Sequence, residues 1–154
     1  MHPTNNIGYL LHHVSAVLAK QSDQALQNRL GLGFSQFKIL MVLQWNPNVQ
    51  QRLIAESLGQ TEASISRQIK LMDERGWLRT TISPKNRREH ITTPTSKGIR
   101  LTEQAMKVLN EQHTPALGNL SEKQISQLLE SLIRLHGHTC QPGKTGACDH
   151  PVSV

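Results

Sequence analysis

The chain has 154 residues, two cysteines, a formal net charge of +6 and a pI near 9.8. This length is enough for one domain with an extension to bury a core without disulfides. Both cysteines lie within the last fifteen residues, too near the end to cross-link a core, so a reducing, cytoplasmic location is expected. No apolar run is long enough to span a membrane, and the N-terminus lacks the pattern of a signal peptide.

The positive charge is concentrated in one part of the chain. Residues 61–100 contain nine Lys or Arg against four acidic residues, a balance of +5. Such a patch favours a phosphate backbone as partner, because neutralising phosphates releases condensed counterions. A solvated basic face without a partner is the alternative. The basic residues are Arg67, Lys70, Arg75, Arg79, Lys85, Arg87, Arg88, Lys97 and Arg100.

The first predicted element is a long helix from about Asn6 to Leu30. A Gly-Leu-Gly turn at residues 31–33 is expected to end it. Apolar residues repeat along this helix at the spacing of one helical face. They are Ile7, Leu10, Leu11, Val14, Val17 and Leu18.

Two shorter helices are predicted next. The first should begin with Ser35 as its N-cap and end near Asn46, which precedes a proline. The second should run from Val49 to Leu58, with Gly59 closing it.

A further helix should follow Thr61, whose side chain can cap it. Ile65, Ile69 and Met72 repeat at helical spacing and are expected to turn inward. The opposite face is then small, polar and basic, as suits an approach to base edges. Its residues are Ala63, Ser66, Arg67 and Lys70, flanked by Ser64 and Gln68.

A β-hairpin with a basic turn is predicted after this helix. Residues 77–82 and 91–93 are rich in β-branched and aromatic side chains, as strands are. A two-stranded hairpin alone is marginal in water, so it should pack on the helices. The next helix should begin at Thr95 or Ser96 and end before Pro115.

The last helix has the clearest start, because Ser121 and Gln124 form a capping box. Its apolar face at residues 125–135 is broad enough to require a partner. The residues after it are rich in Gly, Pro and Thr and show no core-forming period, which favours a flexible tail.

Three motifs keep their spacing through the central region: Ile-Ala-Glu-Ser-Leu-Gly at 54–59, Ser-Ile-Ser-Arg at 64–67 and Leu-Met-Asp-Glu-Arg-Gly-Trp-Leu at 71–78. With the basic hairpin and the order of helices, they resemble the MarR family of winged helix-turn-helix regulators over about residues 7–135. The resemblance implies a mainly α fold with a small two- to three-stranded β wing, in which N- and C-terminal dimerisation helices flank a winged helix-turn-helix core.

The expected domains follow from the resemblance. They are an N-terminal dimerisation helix at 1–32, a winged helix-turn-helix DNA-binding lobe at 33–100, C-terminal dimerisation helices at 101–137 and a flexible His- and Cys-containing tail at 138–154.

The wing departs from the family's pattern, which is Asp-x-Arg followed, after five intervening residues, by Leu-Thr-x-x-Gly. The chain keeps Arg88, Thr95 and Gly98 but has Asn86 and Pro94 instead of the Asp and Leu. Asn offers the wing arginine only a neutral acceptor and leaves more net positive charge at the tip.

DNA contacts are predicted on the helix after Thr61 and at the wing tip. Arg67 can pair with a guanine edge and Gln68 with adenine. Arg87 and Arg88 are expected in the minor groove or on flanking phosphates. An ordinary exposed helix and a solvated turn are the alternatives. The predicted DNA-binding residues are Thr61, Ser64, Ser66, Arg67, Gln68, Arg87 and Arg88.

The implied function is regulation of transcription by a homodimer that binds a near-palindromic double-stranded operator. Repression is the commoner outcome in the family, so the resemblance implies a repressor. A small-molecule, metal or redox signal would release it from DNA, and no cofactor is required. A winged-helix protein-interaction module without DNA binding is the alternative. An enzyme is not expected, because the sequence lacks His-Glu-x-x-His, a glycine-rich phosphate loop and a nucleophile setting.

Two further sites are hypotheses. The family's effectors, commonly small aromatic acids, bind where dimer helices meet the winged lobe. The residues that could line such a pocket here are Tyr9, His12, His13, Met41 and Trp45.

The tail carries a mixed set of possible metal ligands. Its two cysteines could instead form a redox-switched disulfide. An inert tail is the default interpretation, since there is no Cys-x-x-Cys. The tail residues concerned are His136, His138, Cys140, Cys148 and His150.

Overall fold

The computed structural model describes residues 5–87 and 89–140. Helices dominate this part of the chain, and a three-stranded antiparallel sheet has the strand order β1-β3-β2. The predicted fold class is therefore confirmed. The elements are α1 (Ile7–Leu30), α2 (Phe34–Trp45), β1 (Val49–Gln50), α3 (Gln51–Leu58), α4 (Glu62–Glu74), β2 (Leu78–Ile82), β3 (His90–Pro94), α5 (Ser96–Leu117) and α6 (Glu122–Thr139).

Helix α1 begins and ends as the sequence predicts. The side chain of Asn6 accepts a hydrogen bond from the Tyr9 N–H at 2.9 Å, which caps the first turn. Gly31 adopts a left-handed conformation with φ of 62°, and its N–H donates to the Gln27 carbonyl. A residue with a Cβ is strained in that conformation, so glycine is the natural terminator here.

Helix α2 begins two residues earlier than predicted, with Gly33 and not Ser35 as its N-cap. The Gly33 N–H donates to Gln36 Oε1 at 3.0 Å, and the Phe34 N–H donates to Asp23 Oδ1 at 2.8 Å. The Ser35 prediction was wrong because Asp23 of α1 supplies an acceptor from outside the local sequence.

The predicted helix from Val49 to Leu58 is partly wrong, because its first two residues form strand β1. Val49 pairs with Thr92 and Gln50 pairs with Ile91. This pairing joins segments about forty residues apart, so no local pattern shows it. Helix α3 starts directly after the strand, at Gln51.

Helix α5 continues past Pro115 to Leu117, contrary to prediction. A proline in a helix removes one hydrogen bond, here to the carbonyl of residue 111. This occurs in the last turn, where Asn119 Nδ2 donates to the Pro115 carbonyl at 2.9 Å and the Gly118 N–H donates to the Thr114 carbonyl. These local bonds let the helix end two residues beyond the proline.

The core of the winged lobe lies around α2, which buries Ile39, Leu40 and Leu43 almost completely. Helix α4 packs on it through Ile65, Ile69 and Met72, as predicted, and these side chains are at most 2% exposed. The outward direction of the opposite α4 face follows from this packing.

The first turn of α5 lies against the backbone at the start of β2. A Cβ on Gly98 would lie 1.9 Å from the Trp77 carbonyl oxygen, so only glycine fits. The Thr95 hydroxyl accepts the Gly98 N–H at 3.1 Å and donates to the Gly76 carbonyl at 2.7 Å. This contact fixes α5 on the sheet.

Helices α1 and α6 expose apolar side chains to solvent. The N-terminal half of α1 exposes an apolar stripe, and α6 has no buried residue among those that the structure describes. In residues 5–87 and 89–140, no helix is long and apolar enough to cross a membrane. The exposed apolar residues of the two helices are Ile7, Leu10, Leu11, Val14, Val17, Ile125, Leu128, Leu129, Leu132 and Leu135.

Candidate nucleic-acid interface

Helix α4 is held at its N-terminus by Thr61. The Thr61 Oγ1 accepts the Ser64 N–H at 3.2 Å, which confirms the predicted cap. The hydroxyl hydrogen of Thr61 remains a donor for an acceptor outside the helix. Gly59, with φ of 62°, closes α3 and makes the turn that separates α3 from α4.

The outer face of α4 is exposed and polar. Ser66, Arg67 and Lys70 are exposed, whereas Ser64 is half-buried. Gln68 is also half-buried, and its Nε2 donates to Gln60 Oε1 at 3.2 Å. The structure therefore exposes Ser66, Arg67 and Lys70 on α4, whereas Gln68 is held towards the α3–α4 turn.

The wing tip is organised by Glu89, a half-buried residue that sequence reasoning counted only as a charge. Its Oε1 accepts from Asn86 Nδ2 at 3.0 Å, and its Oε2 accepts from Gln50 Nε2 at 2.7 Å. The Glu89 N–H donates to the Asn86 carbonyl, and the Ser83 N–H donates to the Glu89 carbonyl at 2.8 Å. A lone acid in a basic loop was the available signal for this residue.

Arg87 lies exposed at the tip of the wing. Arg88, the other predicted wing contact, lies outside the described residues. Among the described residues of the wing turn, Lys85 and Arg87 are basic and exposed.

A cleft of about 230 Å³ separates α4 from the wing. At its floor, Asp73 Oδ2 accepts the Thr80 N–H at 3.3 Å, which ties α4 to β2. The wing is thus attached to α4 on one side and to α3, through β1, on the other. The cleft is lined by Gln51, Ser66, Ile69, Lys70, Asp73, Thr80 and His90.

One cation near this face is neutralised within its own helix. Arg52 Nε donates to Glu56 Oε1 at 2.8 Å, one turn away on α3. This hydrogen bond and the charge of Glu56 raise the pKa of Arg52 above its usual value. Arg52 therefore adds little net charge to the face, in contrast to Arg67.

Residues 30–89, which include α2, α3, α4 and most of the wing, match the family model described as MarR family. Over these residues the chain is similar to the MarR family. No curated protein matches the sequence.

Solved MarR-family structures share the fold over most of the chain. Wild-type MarR from E. coli in its apo form has a TM-score of 0.78 and 19% identity, covering 84% of this chain and 96% of that one. The transcriptional repressor CouR bound to a 23-mer DNA duplex has a TM-score of 0.73 and 25% identity, covering 87% and 94%. CouR from Rhodococcus jostii bound to p-coumaroyl-CoA has a TM-score of 0.72 and 23% identity, covering 88% and 94%.

The residues suggested for an effector pocket lie on α1 and α2. The rings of Tyr9 and His13 stack with centroids 5.8 Å apart, and His12 is exposed. Met41 packs against the core, and Trp45 is 63% exposed at the end of α2. A cavity of about 260 Å³ between α1 and α5 is lined by other residues, Arg29, Leu30, Gln104, Lys107, Val108 and Glu111.

The predicted tail begins inside α6, which extends to Thr139. His136 and His138 lie in its last turn, and the Cys140 N–H donates to the His136 carbonyl at 2.8 Å. In the described part of the chain, no three His, Cys, Asp or Glu residues cluster as metal ligands would. Cys148 and His150 lie outside the described residues.

Proposed function

We propose that this protein is a MarR-family transcriptional repressor that binds double-stranded DNA sequence-specifically. One observation carries the proposal: the polar outer face of α4, with Arg67 exposed, lies beside a wing whose tip carries Lys85 and Arg87. A helix of this kind fits the major groove, whereas a basic hairpin suits the adjacent minor groove or phosphates.

In this proposal, side chains on α4 contact base edges. Arg67 pairs with a guanine through its planar guanidinium, and Ser66 reaches a base or phosphate. Gln68 pairs with adenine after it exchanges its hydrogen bond to Gln60 for one to the base. Thr61 and Ser64, at the helix start, donate their hydroxyls to phosphates.

At the wing, Arg87 and Arg88 bind the minor groove or its flanking phosphates. These contacts add affinity that depends little on sequence and steeply on salt.

A homodimer completes the proposed regulator. The apolar faces of α1 and α6 are exposed in the single chain, and burying them against a second copy would remove them from water. Two identical lobes then require a near-palindromic operator with fixed half-site spacing. We propose accordingly that residues 1–32 and 101–137 serve dimerisation and that 33–100 bind DNA.

Release by a signal is the remaining part of the proposal. CouR, which has this fold, has been solved both with DNA and with p-coumaroyl-CoA. In this chain, the repressor would be released from DNA by a small aromatic effector near Tyr9 and Trp45, or by a metal or redox signal at the tail. No cofactor is needed for binding, no catalysis is involved, and the site of action is the cytoplasm.

Selection of bound duplexes from a random pool tests the function. We expect one near-palindromic motif to be enriched, with affinity that falls steeply between low and physiological salt. Repeating the selection with metal, oxidant or reductant, or aromatic acids identifies the signal. A winged-helix module that binds only proteins would enrich no motif at any salt concentration.

A further inference from the structure

We propose that Arg75 is a positioning residue that sets the direction of α4 relative to α1 and α5. The inference rests on the proposed function, because direction matters only if two α4 helices must meet DNA together. Arg75 is the C-cap of α4 and precedes Gly76, whose φ of 71° turns the chain into β2.

The first contact of Arg75 is with the end of α1. Its Nη1 donates to the Gly31 carbonyl at 2.8 Å. Gly31 is the C-cap of a 24-residue helix, and the C-terminus of a helix carries partial negative charge. A cation is favoured there, so the guanidinium joins the C-cap residue of α4 to the C-cap residue of α1.

The second contact gives the side chain a fixed plane. The guanidinium lies over the Trp77 indole, 4.8 Å from the ring centroid. Trp77 is only 6% exposed, so the ring is a rigid support. Stacking of this kind restricts an otherwise mobile surface arginine and holds its guanidinium in position to donate to the Gly31 carbonyl.

The third contact reaches α5. The backbone carbonyl of Arg75 accepts from Lys97 Nζ at 2.8 Å. Gly98, in the same turn of α5, approaches the Trp77 carbonyl too closely for any Cβ. The C-terminal end of α4 is therefore held by both helices that flank the winged lobe.

Any tilt of α4 therefore pivots about its C-terminal end, at Arg75, and displaces its N-terminal end. Helix α4 has 13 residues and is about 20 Å long, with its DNA-facing side chains towards the far end. A tilt of about 10° at Arg75 moves that end by about 3 Å, close to the rise of one base pair. Small errors here would misplace both lobes on an operator.

The direct test measures the distance between the two α4 helices of the homodimer. Cys140→Ser and Cys148→Ser leave no native cysteine, and Ser66→Cys then carries one spin label per chain for pulsed dipolar spectroscopy. Arg75→Met keeps the stem of the side chain but removes the charge and donors. We expect a broader distance distribution in Arg75→Met and the parent distribution in Arg100→Met, which removes a matched charge from an exposed site on α5 outside the proposed dimerisation segments.

The functional test uses unlabelled full-length protein with an intact Ser66. We expect Arg75→Met to lose about fivefold of the preference for the selected half-site spacing over a spacing one base pair longer. Affinity for an isolated half-site should stay near that of Arg100→Met, because α4 itself is unchanged.

An unchanged distance distribution in Arg75→Met overturns the inference, whatever the DNA result. If that variant does not fold, Arg75→Lys takes its place, since lysine keeps the charge but cannot lie flat on the indole. Broadening in the lysine variant supports the clamp, and the parent distribution contradicts it. Absence of DNA binding by the parent removes only the proposed function, whereas absence of any dipolar signal shows a monomer and overturns both.

Discussion

Arg67 is the exposed arginine on the outer face of α4 and the side chain expected to decide base preference. A bidentate contact to guanine contributes about 1–3 kcal/mol of discrimination against the wrong base. We expect Arg67→Ala to lose that preference at one position in each half-site. Binding isotherms against single-base operator variants measure it, with Arg134→Ala as the charge-matched control, and an unchanged preference at every position would contradict the assignment.

Glu89 acts at the same scale but through neighbours and not through DNA. Removing its carboxylate raises the net charge, which alone would strengthen binding to any duplex. It also removes acceptors for Asn86 and Gln50, which hold the wing tip. We therefore expect Glu89→Ala to increase fast backbone motion at residues 83–87, as NMR order parameters report.

The control for Glu89 is Glu103→Ala, which removes the same charge from an exposed position on α5. Order parameters at the wing that match between the two variants would refute the organising role of Glu89.

Single residues show where sequence reasoning stopped. The substitution of Asn86 for the expected acid was visible, but its consequence was not, because Glu89 supplies the carboxylate three residues later. Gln68 was predicted from the helical wheel alone, and its bond to Gln60 depends on the angle between α3 and α4. Both hydrogen bonds depend on how the folded chain places the two partners, and no local sequence pattern encodes that.

At the scale of elements, the contact between α5 and β2 depends on one missing methyl group. A Cβ at Gly98 would overlap the Trp77 carbonyl oxygen, and backbone cannot move aside as a flexible side chain can. We expect Gly98→Ala to lower the free energy of unfolding by about 3 kcal/mol, at the upper end for an overpacked site.

Gly137→Ala is the matched control for this substitution. It lies in α6, and its added Cβ would meet nothing within 4 Å. Alanine favours helix over glycine, so stability should stay equal or rise by about 0.5 kcal/mol. Chemical denaturation of both variants decides the matter, and equal stabilities would contradict the steric argument.

Helices with local capping signals were predictable, and elements that depend on distant partners were not. Thr61 and Ser121 cap their helices as predicted, because each cap bond lies within three residues. The start of α2 and strand β1 were missed, since Asp23 and β3 supply their partners from elsewhere. The end of α5 was missed because a proline is tolerated in a last turn whose carbonyls find other donors.

At the scale of the whole molecule, α6 has exposed apolar side chains and no buried residue in the described part of the chain, so a second copy could bury much of its apolar surface. Leu129 is 56% exposed, and replacing an exposed residue in a monomer changes stability by about 0.5 kcal/mol at most. In a dimer interface the same position becomes buried, where an unpaired charge is costly. We therefore expect Leu129→Glu to convert the homodimer into folded monomers.

Sedimentation velocity measures this change, and circular dichroism checks that the monomers remain helical. Gln127→Glu adds the same charge two residues away, on another side of α6, and should remain dimeric. A Leu129→Glu variant that sediments like Gln127→Glu would place the dimer contact elsewhere.

The direct junction between β1 and α3 limits how this lobe can change in length. Gln50 pairs in the sheet and Gln51 begins the helix, so the chain has no slack between them. One inserted residue would rotate α3 by about 100° and turn Ile54 and Ala55 out of the core. In the wing turn, by contrast, the described residues 84–87 are all exposed and place no side chain in the core. Added length at these four positions should therefore disturb the core less than an insertion before α3.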